Sequence, residues 1–295
     1  MRILNLGSMN LDYVYSVERI VTGGETISAF SRQEYCGGKG LNQSIALARA
    51  GAQVFHAGHI GPEGQSLQVC LHNSNVDVSL VNTVPSPTGH AIIQVDEQGQ
   101  NSIIVFGGAN QTITNTDVDQ MLAKFESGDI LLLQNETSCR DYAIFAASQK
   151  GLLVALNPSP IDSSLINSNV LQYVHWFILN EVEGQSLTGE HTPECICKAL
   201  RDKHPKCCVM LTLGSKGSIY YDGTQFITQP AFVVNAVDTT AAGDTFTGYF
   251  LAGIAAGLPI AACLERASKA SAIAVSKPGA SVSIPTQAEL NSLDW

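Results

Sequence analysis

The sequence predicts an α/β protein: a doubly wound, mostly parallel sheet flanked by helices, with a small β-sheet lid. Three observations carry this. Short continuous apolar runs recur along the chain, helical patterns separate them, and two stretches break that rhythm in the manner of hairpins.

The runs are RILNL (2–6), ILLL (130–133), LLVAL (152–156), WFIL (176–179) and CVMLTL (208–213). Continuous apolarity suits strands buried on both faces of a parallel sheet. Among the intervening segments, 42–50 is alanine-rich and ends at Gly51. Residues 115–125 offer Asn115 and Thr116 as caps and space Val118, Met121 and Leu122 for one face. Residues 244–257 place Phe246, Tyr249, Phe250, Gly253 and Ile254 on one side. The exceptions are 12–36 and 89–107. In the second, 91–95 and 103–106 flank the polar turn 96–101; in the first, a strand over 25–30 follows Gly23-Gly24. They are either surface hairpins or a small sheet that covers a site or pairs with another chain. No repeat, low-complexity tract or long linker interrupts the chain, so residues 1–295 form a single expected domain with lid strands from about 12–36 and 89–107.

The chain is 45% hydrophobic and 14% charged, which suits a well-buried enzyme and not a disordered segment. Its net charge of −10 argues against nucleic acid, whose phosphates need a basic face. An anionic small molecule is still admissible at helix N-termini or beside bound metal ions. No apolar stretch reaches the ~20 residues that span a bilayer, and residues 1–10 do not resemble a signal peptide. The eight scattered cysteines read as reduced and cytosolic. One group, His191, Cys195, Cys197, His204, Cys207 and Cys208, lacks the CxxC spacing of a zinc site and reads as ordinary helix packing.

Polar residues follow the apolar runs: Asn10 and Asp12, Asn135 and Glu136, Asn157, Asn180, Glu181 and Glu183, then Gly214, Ser215 and Lys216. In open α/β sheets ligands bind beyond the carboxyl ends of the strands, so one polar rim is expected there. The stretch GGKGLNQ (37–43) suggests a phosphate loop, but Gln33 stands where a Walker pattern requires its first glycine. Downstream, DTTAAGDTF (238–246) sets small residues before a helix start, where backbone N–H groups and the helix dipole favour an anion. Asp244 beside such a cradle is either a plain helix-capping carboxylate or the base that takes a proton from an attacking hydroxyl. The segment 61–65 (GPEGQ) reads as a surface loop.

Taken together, GSMNLD (7–12), GGKGLNQ (37–43), GGAN (107–110), LNPSP (156–160), NEVE (180–183), TLGSKG (212–217), DTTAAGDTF (238–246) and KPGASVSIP (277–285) resemble the ribokinase family of sugar kinases over nearly the whole chain. The resemblance implies transfer of the γ-phosphoryl group of ATP to a sugar hydroxymethyl group, on a large α/β domain with a lid. It implies sugar contacts from Asn10, Asp12, Gly38, Lys39, Asn42 and Glu136, with Asp244 as general base and Ala241, Ala242 and Gly243 as anion hole. Along the nucleotide it implies Asn180, Thr212, Gly214, Ser215, Lys216, Gly217, Gly243 and Ser268. Glu183 would organise Mg²⁺ through water. For K⁺ the resemblance implies the Asp238 side chain, main-chain carbonyls of Thr240, Ala274, Lys277 and Gly279, and Ser283.

D-ribose is the substrate that the complete sugar set favours. A nucleoside such as pseudouridine, deoxyribose or a ketohexose is the alternative within the fold, and a non-catalytic sugar sensor the alternative outside it. Tyr13, Tyr15, His90 and Phe106 either face the pocket from the lid or serve lid packing and dimer contact. A dinucleotide-binding fold is excluded because the first run leads to GSMNLD and not to a glycine fingerprint. Exposed lid edges predict a homodimer in which two lids pair.

Overall fold

Thirteen strands are present in the computed structural model, which describes residues 1–293. They are β1 Ile3–Leu6, β2 Asn10–Ser16, β3 Ser31–Gly37, β4 Val54–Ile60, β5 Asp77–Thr83, β6 Gly89–Val95 and β7 Asn101–Phe106, then β8 Ile130–Leu133, β9 Leu153–Leu156, β10 Trp176–Asn180, β11 Cys208–Thr212, β12 Ser218–Tyr221 and β13 Phe226–Gln229. Nine form one sheet in the order β13-β12-β11-β10-β9-β8-β1-β4-β5. It is parallel from β5 to β11 and ends in the antiparallel pairs β11–β12 and β12–β13. The other four form the lid, in the order β3-β2-β6-β7.

All five apolar runs are strands of the large sheet, and the alternation of their side chains explains why they are continuous. Ile3, Ile130 and Leu132 join one hydrophobic core with Leu41, Ile45, Tyr249 and Phe250. Leu4, Leu6, Leu131 and Leu133 join a second core on the opposite face with Phe125, Val154 and Phe177. β4 is no continuous apolar run because it carries His56 and His59. Both are buried, and each bonds a hydroxyl inside the protein: His56 Nδ1 lies 2.8 Å from Ser44 Oγ, and His59 Nδ1 2.9 Å from Thr112 Oγ1. β5, β12 and β13 were also not anticipated. β5 and β13 are the two edges of the sheet and β12 lies one strand in, and none of the three carries a long apolar run.

Helices differ from expectation at their ends. Lys39–Arg49 begins three residues before the alanine-rich segment. Asn115–Leu122 is capped by Thr114, which accepts from Asp117 N–H in a capping box, and not by Asn115 or Thr116. Ala242–Ala255 buries Phe246, Tyr249 and Phe250, and Gly253 lets it approach Cys263.

The lid corrects one strand: residues 25–30 are irregular, and the strand facing β2 is β3. Each hairpin is antiparallel, β2 with β3 and β6 with β7. Parallel pairing of β2 with β6 joins them into one sheet. The segment 61–65 also does more than cover surface. Gly61 N–H donates to Thr88 Oγ1 (2.9 Å) and Glu63 Oε1 accepts from Thr88 N–H (2.7 Å), clamping the root of β6. In the His/Cys group, Cys197 and Cys207 are buried with thiols pushed up to about 12 by burial, Cys195 is exposed, and His204 packs on Phe177.

Candidate active site

The strand order reverses at β1 and β8, so the chain leaving their carboxyl ends opens into a crevice. Residues 7–10 follow β1 there, Gln134 and Glu136 follow β8, and the helix Lys39–Arg49 points its N-terminus at the same place. The close approach needs glycine: a Cβ on Gly40 would sit 2.4 Å from Ser8 N.

Lys39 does not reach toward a phosphate loop. Its Nζ pairs with Glu136 Oε1 at 2.7 Å, and its backbone N–H donates to Glu136 Oε2 at 3.3 Å. Burial lowers the ammonium pKa, but Glu136, Asp244 and Glu183 outweigh it, so Lys39 stays charged. Asp12 stands beside this pair on the lid. Burial, then the Glu136 charge, push its carboxyl to about 7 against the pull of Lys39. Gly37 leaves room for it, because a Cβ there would lie 2.0 Å from Asp12 Oδ2. Asn10 is buried, with Oδ1 held by Asn110 Nδ2 at 2.8 Å.

Asp244 lies in the first turn of Ala242–Ala255 and faces this cluster. Asn42 Nδ2 donates to its Oδ2 (3.1 Å) and Gln43 Nε2 to its Oδ1 (2.9 Å). Burial raises its pKa to about 6, opposed by Gln43, Lys39 and Asn42. Asn42 Oδ1 is buried without a hydrogen-bond partner among the described residues, an acceptor left over for a ligand hydroxyl. Thus Asn10, Asp12, Lys39, Asn42, Glu136 and Asp244 converge, with Gly38 in a left-handed conformation (φ 96°) at the head of the helix.

On the other side of Asp244 a cleft of about 500 Å³ opens. Asn180, Thr212, Gly214, Ser215, Gly217, Gly243 and Ser268 line it. Ser268 Oγ is buried and unpartnered among the described residues. Lys216 is not among the lining residues: its side chain is 75% exposed and its Nζ lies 3.9 Å from Glu181. Ala241 takes a left-handed conformation (φ 58°) that turns the chain into the helix, and Ala242 N–H is 3.3 Å from Thr239 O. Phe232, Val233, Phe246 and Val275 form an apolar wall that the sequence reading missed. The apolar stretch AFVV (231–234) after a short polar edge strand was its only signal.

Asn180 caps Glu181–Thr188, and Glu183 completes a capping box with it: Glu183 N–H donates to Asn180 Oδ1 (2.9 Å), and Asn180 N–H to Glu183 Oε2 (3.1 Å). The Glu183 charge also helps to raise the Lys39 pKa. Asp238 bridges two loops, accepting from Thr240 N–H and Gly279 N–H at 2.9 Å each. Ala274, Lys277 and Ser283 lie in the same tail segment, where Lys277 N–H donates to Ala274 O (3.2 Å) and Ser283 Oγ to Ala280 O (2.8 Å).

Two expected groups turn elsewhere. Asn135 bonds Pro160 O and Asp162 and does not join the site. The lid aromatics stand on the face opposite Asp12. Side chains alternate along β2, so Tyr13 and Tyr15 point away from Asn10 and Asp12. His90 pairs with Leu11, and Phe106 with His90, which puts them on that outer face too. Their rings form a row, 5.9 Å from Tyr13 to His90 and 5.1 Å from His90 to Phe106. Gln43, to which the sequence assigns no role, supports the site together with the rim residue Asn157; Gln43 Nε2 lies 3.1 Å from Asn157 Oδ1.

The arrangement can hold a polyhydroxylated ligand at one end of Asp244 and an anion at the other. Known proteins resemble this chain in sequence and fold. The model of the pfkB family of carbohydrate kinases matches residues 2–287. A ribokinase from Haemophilus influenzae is 36% identical over 293 residues, covering 96% of this chain and 95% of that one. Ribokinase from Arabidopsis thaliana, solved with ribose and ATP, superposes with a TM-score of 0.88 at 32% identity, over 98% of this chain and 97% of that one. Ribokinase from Cryptococcus neoformans var. grubii serotype A, solved with ADP, gives 0.86 at 32% identity over 98% of each chain. With the family model matching residues 2–287 and a relative 36% identical over 96% of the chain, this chain belongs to the pfkB family of carbohydrate kinases.

Proposed function

We propose that the protein is an ATP-dependent sugar kinase that transfers the γ-phosphoryl group to the hydroxymethyl group of D-ribose, giving ribose 5-phosphate. The position of Asp244 carries this reading. It bonds Asn42 and Gln43 of the sugar-side helix, while its neighbour Gly243 lines the nucleotide cleft. Several full-length relatives are ribokinases, and one ribokinase was solved with both ribose and ATP; another full-length relative, at 30% identity, is a deoxyribokinase.

In this reading Asn10, Asp12, Gly38, Lys39, Asn42 and Glu136 orient the sugar so that its primary hydroxyl meets Asp244. The Asp244 carboxylate takes the hydroxyl proton as the oxygen attacks phosphorus. The N-terminal end of Ala242–Ala255 stabilises the charge on the transferring group. Asn180, Thr212, Gly214, Ser215, Gly217 and Ser268 hold the nucleotide against the apolar wall, and the lid excludes water. Mg²⁺ bound with ATP would neutralise phosphate charge, with Glu183 holding it through water. K⁺ would suit the oxygen-rich junction of Asp238, Thr240, Ala274, Lys277, Gly279 and Ser283, where it would brace the loop that leads into the anion site.

Two further readings accompany this one. β7 is a lid edge strand with Ile103, Ile104, Val105 and Phe106 between 50% and 64% exposed, which supports a homodimer closed lid to lid. Light scattering at assay concentration should give a dimer, and Ile104→Lys a monomer; a monomeric wild type would sink the pairing. All eight cysteines are free, which supports a reducing, cytosolic setting.

The activity is tested by ADP release with Mg-ATP against D-ribose, 2-deoxyribose, fructose, adenosine and pseudouridine, each with and without K⁺. Ribose should be fastest, and K⁺ should raise its rate. A faster nucleoside would overturn ribose as the substrate; sugar binding without ADP would overturn catalysis.

A further inference from the structure

Behind Asp244 runs a chain of buried polar side chains that meets the site through Gln43. Gln43 Nε2 donates to Asp244 Oδ1 and Asn157 Oδ1, while Gln43 Oε1 accepts from Gln134 Nε2 at 2.6 Å. Gln134 Nε2 also donates to Asn5 Oδ1 at 3.0 Å. Asn5 Nδ2 donates to Gly40 O and Ser44 Oγ, both at 2.8 Å, and Ser44 Oγ meets His56 Nδ1. Asn5, Gln43, Ser44 and His56 are wholly buried, and Gln134 is 1% exposed. Apolar side chains would fill this space without the desolvation penalty of burying amides, so the chain needs a physical reason.

Direction supplies one. A glutamine amide presents either N–H or C=O in nearly the same volume, and only its partners decide which. Toward a carboxylate the difference is large: N–H favours the ionised form, and C=O repels it. Here each choice is forced in turn. Gly40 O can only accept, so Asn5 turns Nδ2 to it and Oδ1 to Gln134. Gln134 must then offer Nε2, and Gln43 must offer Oε1 to Gln134 and Nε2 to Asp244. Asn157 agrees, because its Nδ2 is committed to Ile178 O at 2.9 Å and its Oδ1 faces Gln43. Gln134 Oε1 is left buried without a partner among the described residues, so the nitrogen end of this amide fixes its orientation.

We propose that Gln134 and Asn5 are positioning residues for phosphoryl transfer: they lock the Gln43 amide so that its N–H, and not its carbonyl, faces Asp244. The inference rests on Asp244 being the base. It also ties the base to the main chain of the sugar loop, since Gly40 follows Lys39 directly.

Gln134→Met keeps the volume and removes the hydrogen bonds. It should lower kcat about tenfold with the ribose KM within about twofold. The acid limb of kcat should move to higher pH by about half a unit or more. In a Gln43→Met background the same substitution should add nothing, because it acts only through Gln43. Additive effects, or a fall in kcat with an unmoved acid limb, would overturn the proposal. If Gln134→Met does not fold, Asn5→Ala tests the same chain one link further back and should move the limb in the same direction. Carboxyl ¹³C NMR of Asp244 in the free protein reads the shift without turnover. A wild type that makes no ADP with ribose would therefore sink the kinase reading, while an unmoved Asp244 titration would sink this one.

Discussion

Asp244→Asn should lower kcat by about 10²–10⁴-fold, the usual contribution of a general base, while ribose still binds. It should also make the protein more stable at pH 8. The Asp244 carboxyl titrates at about 6 in the folded protein, above the 3.8 of an ordinary aspartate, because burial disfavours its charge. The native state therefore resists ionisation. That penalty grows as pH rises from about 4 and is complete above about 6. Removing the charge relieves it, less what is lost when the new amide turns an N–H toward Asn42 or Gln43. A net gain of about 1–2 kcal/mol at pH 8, vanishing near pH 4, is expected from thermal unfolding across that range. Turnover within a few-fold of wild type would remove Asp244 from the base role. An unchanged melting temperature would mean that its burial costs nothing.

Asp12→Ala should raise the ribose KM by about 10²-fold and leave the ATP KM nearly unchanged. Hydrogen bonds from sugar hydroxyls to a carboxylate contribute about 1.5–3 kcal/mol each, and Asp12 lies on the lid side of the site, away from the nucleotide cleft. The pH dependence should separate the two carboxylates. Burial and Glu136 hold Asp12 at about 7, and Asp244 sits at about 6. Both must be ionised in the free enzyme to capture and activate ribose. The wild-type kcat/KM should therefore fall below pH 7 and more steeply below pH 6. In Asp12→Ala the first limb should disappear and the second remain. A single limb at the same pH in both proteins would show that Asp12 does not contact the sugar.

Much of this site was legible in the motifs. GGKGLNQ and DTTAAGDTF hold Lys39, Asn42 and Asp244, and the structure brings Asn42 and Asp244 into a hydrogen bond across 202 positions. The motif says nothing of where the Lys216 side chain turns: neighbouring Gly214 and Gly217 line the cleft, while Lys216 Nζ lies 3.9 Å from Glu181. Phe232 and Val233 were missed because they lie in irregular chain after an edge strand, with no period to mark them. Gln43 was quoted and given no role, since an amide beside a motif says nothing about which of its ends meets a carboxylate.

The sequence by itself determined the parallel sheet, since only strands covered on both faces read as ILLL or LLVAL without polar alternation. It also determined the chemistry available at the strand ends. Tertiary structure alone decided that two hairpins merge through β2 and β6, because strand pairing is a long-range contact that no local pattern encodes. It decided as well that the lid aromatics face away from Asp12. A one-residue change in register would reverse that, and register is set by packing rather than by composition. Finally, the fold decided that Asn5, Gln134 and Gln43 meet end to end behind the base. Each amide's direction follows from its partners, and those partners come together only when the sheet has formed.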